Sequence, residues 1–344
     1  MVANLDFAVL EIMQGNFFQA IDQLPQSPER DFLLASCYYE VDQYNLALDA
    51  LKNNPLKEAK ALEKSIKDIL GLRVIPTFTF HREDGYPDTI SFENYGSEFL
   101  YNIKPDTLMT GGFLVTPYSE FNGLRHITGT DVWLGGVHRY NIHTAVQANP
   151  RMNFLSNGQT RVLGFAAAEY TPSDYTNIIV AYARNRIEDS IYSIAGLRPD
   201  IGPFAGQLIG RVTDNKFVLN VSKRLPRNSY AFGNYNIGFV EGLSVPSNIY
   251  HEAASGAGKV VYYTPKSKPV NYVELGYNSY LQTYQRNLDE YGSINPRSPV
   301  IGEIGNSDIG VGGYNSPKFA MINRFLVNIK GDIPKLKLTY SVQP

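Results

Sequence analysis

The chain is short of cysteine, of charge and of long apolar runs, and each shortage excludes something. One cysteine, Cys37, in 344 residues permits neither an internal disulfide nor a cysteine-built zinc cage. Charged residues make up only 19% and hydrophobic residues 43%, which is not the composition of a disordered chain. A net charge of −2 removes the generic basic nucleic-acid binder. There is no run of about 18 apolar residues, so no helix is expected to span a membrane. The N-terminus has neither a basic start nor a small-residue cleavage site, so no signal peptide is visible. What the chain does have is 24 tyrosines, 18 phenylalanines and 29 glycines. A β-barrel in an outer membrane has this profile, because only alternate residues of its strands face lipid.

Two grammars divide the chain at Leu72. Residues 1–72 hold 6 Lys/Arg against 11 Asp/Glu, and residues 73–344 hold 25 against 22. The first part has apolar spacing near 3.6 and predicts helices. Gly15, Phe17, Ala20 and Leu24 have the spacing of a tetratricopeptide second helix, and Leu34, Ala35, Tyr38, Asp42, Tyr44, Ala47 and Leu51 repeat it more fully. The alanines let helices approach and the aromatics fill the groove beside them. Pro25 and Pro28 interrupt the two units. A third helix near Leu56–Ile69, rich in Lys and Glu, would cap the stack with a charged outer face.

The second part alternates with period two. Ile178, Val180 and Tyr182 oppose Ala181, Ala183 and Asn185; Phe217, Leu219 and Val221 oppose Lys216, Asn220 and Ser222. Val273, Leu275 and Tyr277 oppose Glu274, Gly276 and Asn278; Phe325, Val327 and Ile329 oppose Arg324, Asn328 and Lys330; Leu336 to Val342 follows the same rule. A soluble sandwich with its apolar face inward has the same period. Strands of about 10 residues and tyrosines near strand ends, as at Tyr262–Tyr263 and Tyr280–Tyr284, favour a barrel in lipid.

Catalytic patterns are few. Ser255 to Lys259 looks like part of a phosphate loop, but Ala253 stands for its first glycine and Val260 for its final Ser/Thr. His138 and His143, five apart on a strand, would point to opposite faces, which argues against a shared metal. Three strings stand out instead: Arg184 to Arg198, Tyr284 to Leu288, and Gly312 to Pro317. With them the chain resembles the cellulose synthase operon protein C family, periplasmic tetratricopeptide arrays joined to an outer-membrane barrel that exports cellulose. The resemblance runs from about Leu34 to Ser341. It rests on Arg184, Asp189, Ser190, Ser193, Ala195, Gly196 and Arg198, on Arg286, Asn287 and Leu288, and on Gly312, Gly313, Tyr314, Ser316 and Pro317. Asn185 and Arg186 depart from the family's arginine and proline, Asn315 stands for its phenylalanine, and residues 291–309 separate two strings that the family holds nearly together.

The expectation is therefore an α+β multidomain chain: a tetratricopeptide-like helical region at 1–72, then an antiparallel transmembrane β-barrel at 73–344. The resemblance implies no enzyme and no cofactor. It implies passage of a polysaccharide, cellulose in the first instance, through outer-membrane lipid, with the helices in the periplasm contacting an inner-membrane synthase complex. The family carries a signal peptide, more repeats and further strands, so the chain is expected to be a fragment or a shortened relative. Inward candidates are Arg184, Lys216, Asn220, Glu274, Asn278, Arg324, Asn328 and Lys330. Gly312 and Gly313 would make an unusual turn before Pro317. The alternatives are a soluble β-rich carbohydrate-binding or hydrolytic module fused to helical repeats, and an enzyme housed in a barrel.

Overall fold

A computed structural model describes residues 16–23, 30–84, 89–120, 125–188, 191–196, 198, 206–225, 227–264, 269–286, 316–333 and 338–342. Among these residues four helices come first: α1 (Phe17–Gln23), α2 (Asp31–Glu40), α3 (Tyr44–Leu51) and α4 (Lys57–Leu70). Small residues sit at their crossings. Ala20, Ala35 and Ala47 are completely buried and Ala59 nearly so, while Tyr38, Tyr44, Leu48 and Leu62 pack around them. With only a methyl group at the contact the backbones come close and the larger neighbours fill the flanks.

Thirteen strands follow: β1 (Arg73–Asp84), β2 (Thr89–Lys104), β3 (Thr107–Glu120), β4 (Arg125–Asn141), β5 (Thr144–Leu155), β6 (Thr160–Ser173), β7 (Thr176–Arg186), β8 (Gly210–Leu225), β9 (Ser229–Leu243), β10 (Val245–Tyr263), β11 (Tyr272–Tyr284), β12 (Ala320–Ile333) and β13 (Leu338–Val342), with a short helix α5 (Ile191–Ala195) between β7 and β8. They form one antiparallel sheet in which every strand pairs with its sequence neighbours, in the order β1 to β13. Among the described residues no pairing joins β1 to β13, so the sheet is open.

The two ends of this meander differ. At one end the connections after β2, β4 and β6 are two residues each and that after β8 is three. At the other end β7 and β8 are separated by 23 residues, and β11 and β12 by 35. The helices dock on the short-turn end. Asp174, in the β6–β7 turn, accepts from the Phe18 N–H at 2.8 Å and the Gln19 N–H at 3.3 Å, satisfying free amides of the α1 N-terminus. Arg139 pairs with Asp42 at 3.1 Å, and the Gln43 amide donates to the Asn141 carbonyl at 2.8 Å.

The faces of the sheet are sorted by polarity in an order opposite to a globular core. Phe217 is 58% exposed, Leu219 42% and Phe325 82%; Val180, Tyr182, Leu275 and Tyr277 share that exposed face. The polar face is concave: α5 touches β3, β4 and β8 together, though β3 and β8 are five places apart in the sheet.

Candidate functional site on the polar face

The period of two brings polar residues of β8 to β12 onto one wall. Near the short-turn end, Glu274 accepts from the Tyr230 hydroxyl at 2.5 Å, the Tyr272 hydroxyl at 2.8 Å and the Asn328 amide at 3.2 Å. The Lys330 ammonium lies 5.0 Å from the Tyr272 ring centre. Further along, the Asn234 amide donates to Asn220. Beyond that, Glu252 accepts from Asn236 at 2.9 Å, Gln282 at 2.8 Å and the Tyr280 hydroxyl at 3.1 Å. Asp214 then accepts from Tyr250 at 2.6 Å, with Lys216 3.6 Å away. Each of these carboxylates accepts from a tyrosine hydroxyl, with amides beside Glu274 and Glu252 and an ammonium beside Asp214, so their charge is held locally. A cavity of about 1440 Å³ opens at the short-turn end, lined among others by Asn16, Tyr175, Arg224, Tyr230 and Tyr272.

At the long-loop end the polar face is closed in by α5. Asp131 on β4 is fully buried and pairs with Arg186, the last residue of β7, at 2.8 Å. Arg186 also pairs with Glu188 at 2.6 Å, and Glu188 accepts from the Tyr118 hydroxyl at 2.6 Å. The Asn153 amide donates to Asp131 at 3.0 Å. Above this network Ile194 and Ala195 pack with Ile90, Tyr118, Ile127 and Leu155, and the Gln159 amide donates to the Ala195 carbonyl at 2.8 Å. Gly196 ends α5 at φ +78°, and a Cβ there would come within 2.6 Å of the Ile209 carbonyl. A side chain would be both strained and blocked.

The residues singled out from the sequence fall into three groups. Lys216, Glu274, Asn328 and Lys330 lie on the polar wall as described, and Arg324 stands opposite Asn278 in register. Arg184 departs from its expected orientation. It pairs in register with Gly164 and Asn215 and shares the face of Tyr182 and Val180. Its guanidinium donates to Glu241 at 2.8 Å and to Asn215. The cause is the strand period itself: residues 180, 182 and 184 point one way. The remaining string residues have structural partners. Arg198 donates to the Gly206 carbonyl at 2.9 Å; the backbone of Arg286 is bracketed by Asn248, which accepts from its N–H and donates to its carbonyl, both at 2.9 Å; Ser316 is buried and the Pro317 carbonyl accepts from the Tyr284 N–H at 3.2 Å. Asp189, Ser190, Asn287, Gly312, Gly313 and Tyr314 lie outside the described residues.

Sequence reading missed Tyr118, Asp131, Asn153, Arg161 and Glu252. The signal for Glu252 was present: it shares parity with Ala254, Gly256 and Gly258, and an acid on that side marks the wall. Asp131, Asn153 and Arg161 meet only because β4, β5 and β6 pair in one register, which no local pattern contains.

These features define a class: a β-rich antiparallel meander with a polar concave face and an exposed apolar one. Residues 155–294 match the family described as the cellulose synthase operon protein C C-terminus. That stretch is less than half of the chain, and over it the chain is similar to the family that the three strings suggest; the family implies a role in the cellulose synthase operon. No curated protein matches the chain.

Proposed function

We propose that the protein is an outer-membrane conduit for an exopolysaccharide, cellulose in the first instance, with 1–72 forming a tetratricopeptide-like region in the periplasm and 73–344 forming the barrel wall. One observation carries this reading: the large apolar side chains of the sheet face outward while carboxylates, amides and hydroxyls line its concave side. In water such a face would bury itself against a second layer; in lipid it is already in its solvent. The soluble-module alternative needs Phe217, Leu219 and Phe325 inside.

Three further features support the orientation. The two longest connections, between β7 and β8 and between β11 and β12, both lie opposite the helical end, as the longer loops of such barrels lie on the outer side. Tyr101, Tyr140, Tyr170 and Tyr263 are exposed near the short-turn ends of their strands, where an aromatic girdle belongs. The wall offers hydroxyls, amides and aromatic rings to a neutral glucan, with both signs of charge bound to partners. Because neighbouring strands alternate, β1 and β13 run the same way, so antiparallel closure takes an even number of strands.

The lumen candidates Lys216, Glu274 and Arg324 would line the path, and Arg286, Ser316 and Pro317 would frame its outer end. Purified protein is expected to need detergent, to migrate heat-modifiably and to conduct ions in planar bilayers. A monodisperse protein in plain buffer with a cooperative melt would overturn the proposal.

A further inference from the structure

An apolar ring stands on the polar wall. Phe232, on β9, shares the face of Asn220 and Asn234, not that of Tyr235 and Ile237. It is half-buried and joins neither apolar cluster of the sheet. Its ring reaches over β10, where a Cβ on Gly256 would come within 2.7 Å of two ring carbons. Tyr230, two residues earlier, does the same over Gly258, where a Cβ would meet the ring and its hydroxyl at 2.5 Å. Each ring fills the space of the side chain that glycine lacks, so it lies along the wall. One face is turned to the backbone and the other to the concave side.

Two more rings on this face lie over glycines, Trp133 over Gly112 and Tyr250 over Gly238, but both are covered. The Arg151 guanidinium sits 5.2 Å from the Trp133 ring centre, and the Tyr284 ring 5.0 Å from that of Tyr250. Among the described residues no ring or cation stacks on Tyr230 or Phe232. The polar groups beside them are also left open. Ser222 stands opposite Phe232 and Asn278 opposite Gly256, with Arg324 next along the row. Among the described residues no hydrogen bond engages the Ser222 or Asn278 side chain, whereas Glu274 on one side and Glu252 on the other gather the donors around them. Tyr230 lines the cavity at the short-turn end, and Phe232 lies one step further in.

We propose that Tyr230 and Phe232 form a stacking subsite for two successive sugars of a β-linked glucan. The flat faces of such a sugar carry only C–H groups and lie on aromatic rings. Its hydroxyls leave from the ring edge, toward Ser222, Asn278 and Arg324. Two residues of a strand span about 6.8 Å, or about 5 Å along the axis of a barrel with strands tilted by about 40°. That is the advance of one sugar in an extended β-1,4-glucan. An α-linked glucan coils and cannot lay successive faces on one wall. The subsite rests on the export reading, which supplies the passage, and adds the linkage that the wall selects.

The test uses the whole chain folded in detergent, with cellopentaose and maltopentaose as probes and heat-modifiable migration as the check on folding. Saturation-transfer NMR reads binding; block of the planar-bilayer current reads it independently. Cellopentaose is expected to bind about tenfold or more tightly than maltopentaose. Phe232→Leu, which keeps an apolar side chain but no ring, is expected to weaken cellopentaose about tenfold. Gly256→Ala, which pushes the same ring off the wall, should weaken it comparably, and Tyr230→Phe, which keeps the ring, by less than about threefold. Equal affinity for the two sugars, or cellopentaose binding unaltered by both Phe232→Leu and Gly256→Ala, overturns the subsite. If binding follows the expected pattern by NMR while the protein conducts no current, the subsite stands and the export reading fails. If current flows and neither sugar binds or blocks it, the export reading stands and the subsite fails.

Discussion

The helical region and the sheet use the same residues in opposite ways. Alanines at helix crossings, Ala35 and Ala47, are completely buried, whereas Ala166 and Ala168 of β6 are exposed. Tyr38 and Tyr44 lie against the helical core; Tyr182, Tyr235 and Tyr277 stand out from the sheet. Residue type does not decide which side is inside. The helices bury apolar surface against one another because each presents a stripe to its neighbour. Among the described residues the sheet has no second layer and leaves its apolar face to the surroundings. The difference is one of solvent: water for the first region and, in the reading proposed above, hydrocarbon for the second.

That contrast breaks most sharply with a charge on the sheet's apolar face. Leu219→Arg, near the middle of β8, is expected to cost about 2–4 kcal/mol of folding in lipid. The measurement is the fraction of heat-modifiable folded species in vesicles of rising urea. A soluble fold would lose apolar surface there at no such cost, so an unaffected midpoint removes the lipid reading. Next in size is the mirror experiment. Ala35→Leu fills a helix crossing that has no room, and about 1–3 kcal/mol of destabilisation is expected. Hydrogen exchange should speed up across α2 to α4 while β2 to β11 stay protected. Exchange rising equally in both regions would show that the two do not behave as distinct packings.

A smaller effect probes the joint between the regions. Asp174→Ala removes the carboxylate that accepts from the first amides of α1, and about 1 kcal/mol is expected, as for loss of a helix cap. Amide protection at Phe18 and Gln19 should fall first. Unchanged protection there would mean that α1 holds its place through Phe18 packed on His143, rings 5.0 Å apart.

How much of this was legible from sequence follows from what each pattern encodes. Alternation in Ile178–Tyr182, Phe217–Val221 and Val273–Tyr277 gives β-structure and sorts the two faces, because the strand period acts residue by residue. Arg184 shows its limit: its charge alone suggests an inward position, but its parity with Tyr182 puts it on the other face, where Glu241 neutralises it. The short helix α5 was hidden in a string read only for resemblance; five residues carry too few turns to show a period. The Asp131–Arg186 pair joins strands 55 residues apart in sequence, and only the register of the folded sheet supplies that contact.

The smallest effect separates the regions by pH. Burial pushes the Cys37 thiol up to about 12, and Asp174 adds to the rise. Below about pH 9 the thiol keeps its proton folded or unfolded, and stability does not depend on it. Between about pH 9 and about 12 the unfolded chain sheds a proton that the folded helices retain, so stability falls as pH rises. At pH 9.5 the fall comes to just under about 1 kcal/mol. The Tyr38 and Tyr44 phenols, also raised by burial, add to it only at higher pH. The urea midpoint of the helical circular-dichroism signal at pH 8 and pH 9.5 reads the effect, and Cys37→Ala should flatten it. Asp174→Ala, which removes only a lesser contribution to the rise, should leave the slope up to pH 9.5 unchanged, because the unfolded thiol sets it there. A slope that survives Cys37→Ala would place the titrating group outside the α1–α2 contact.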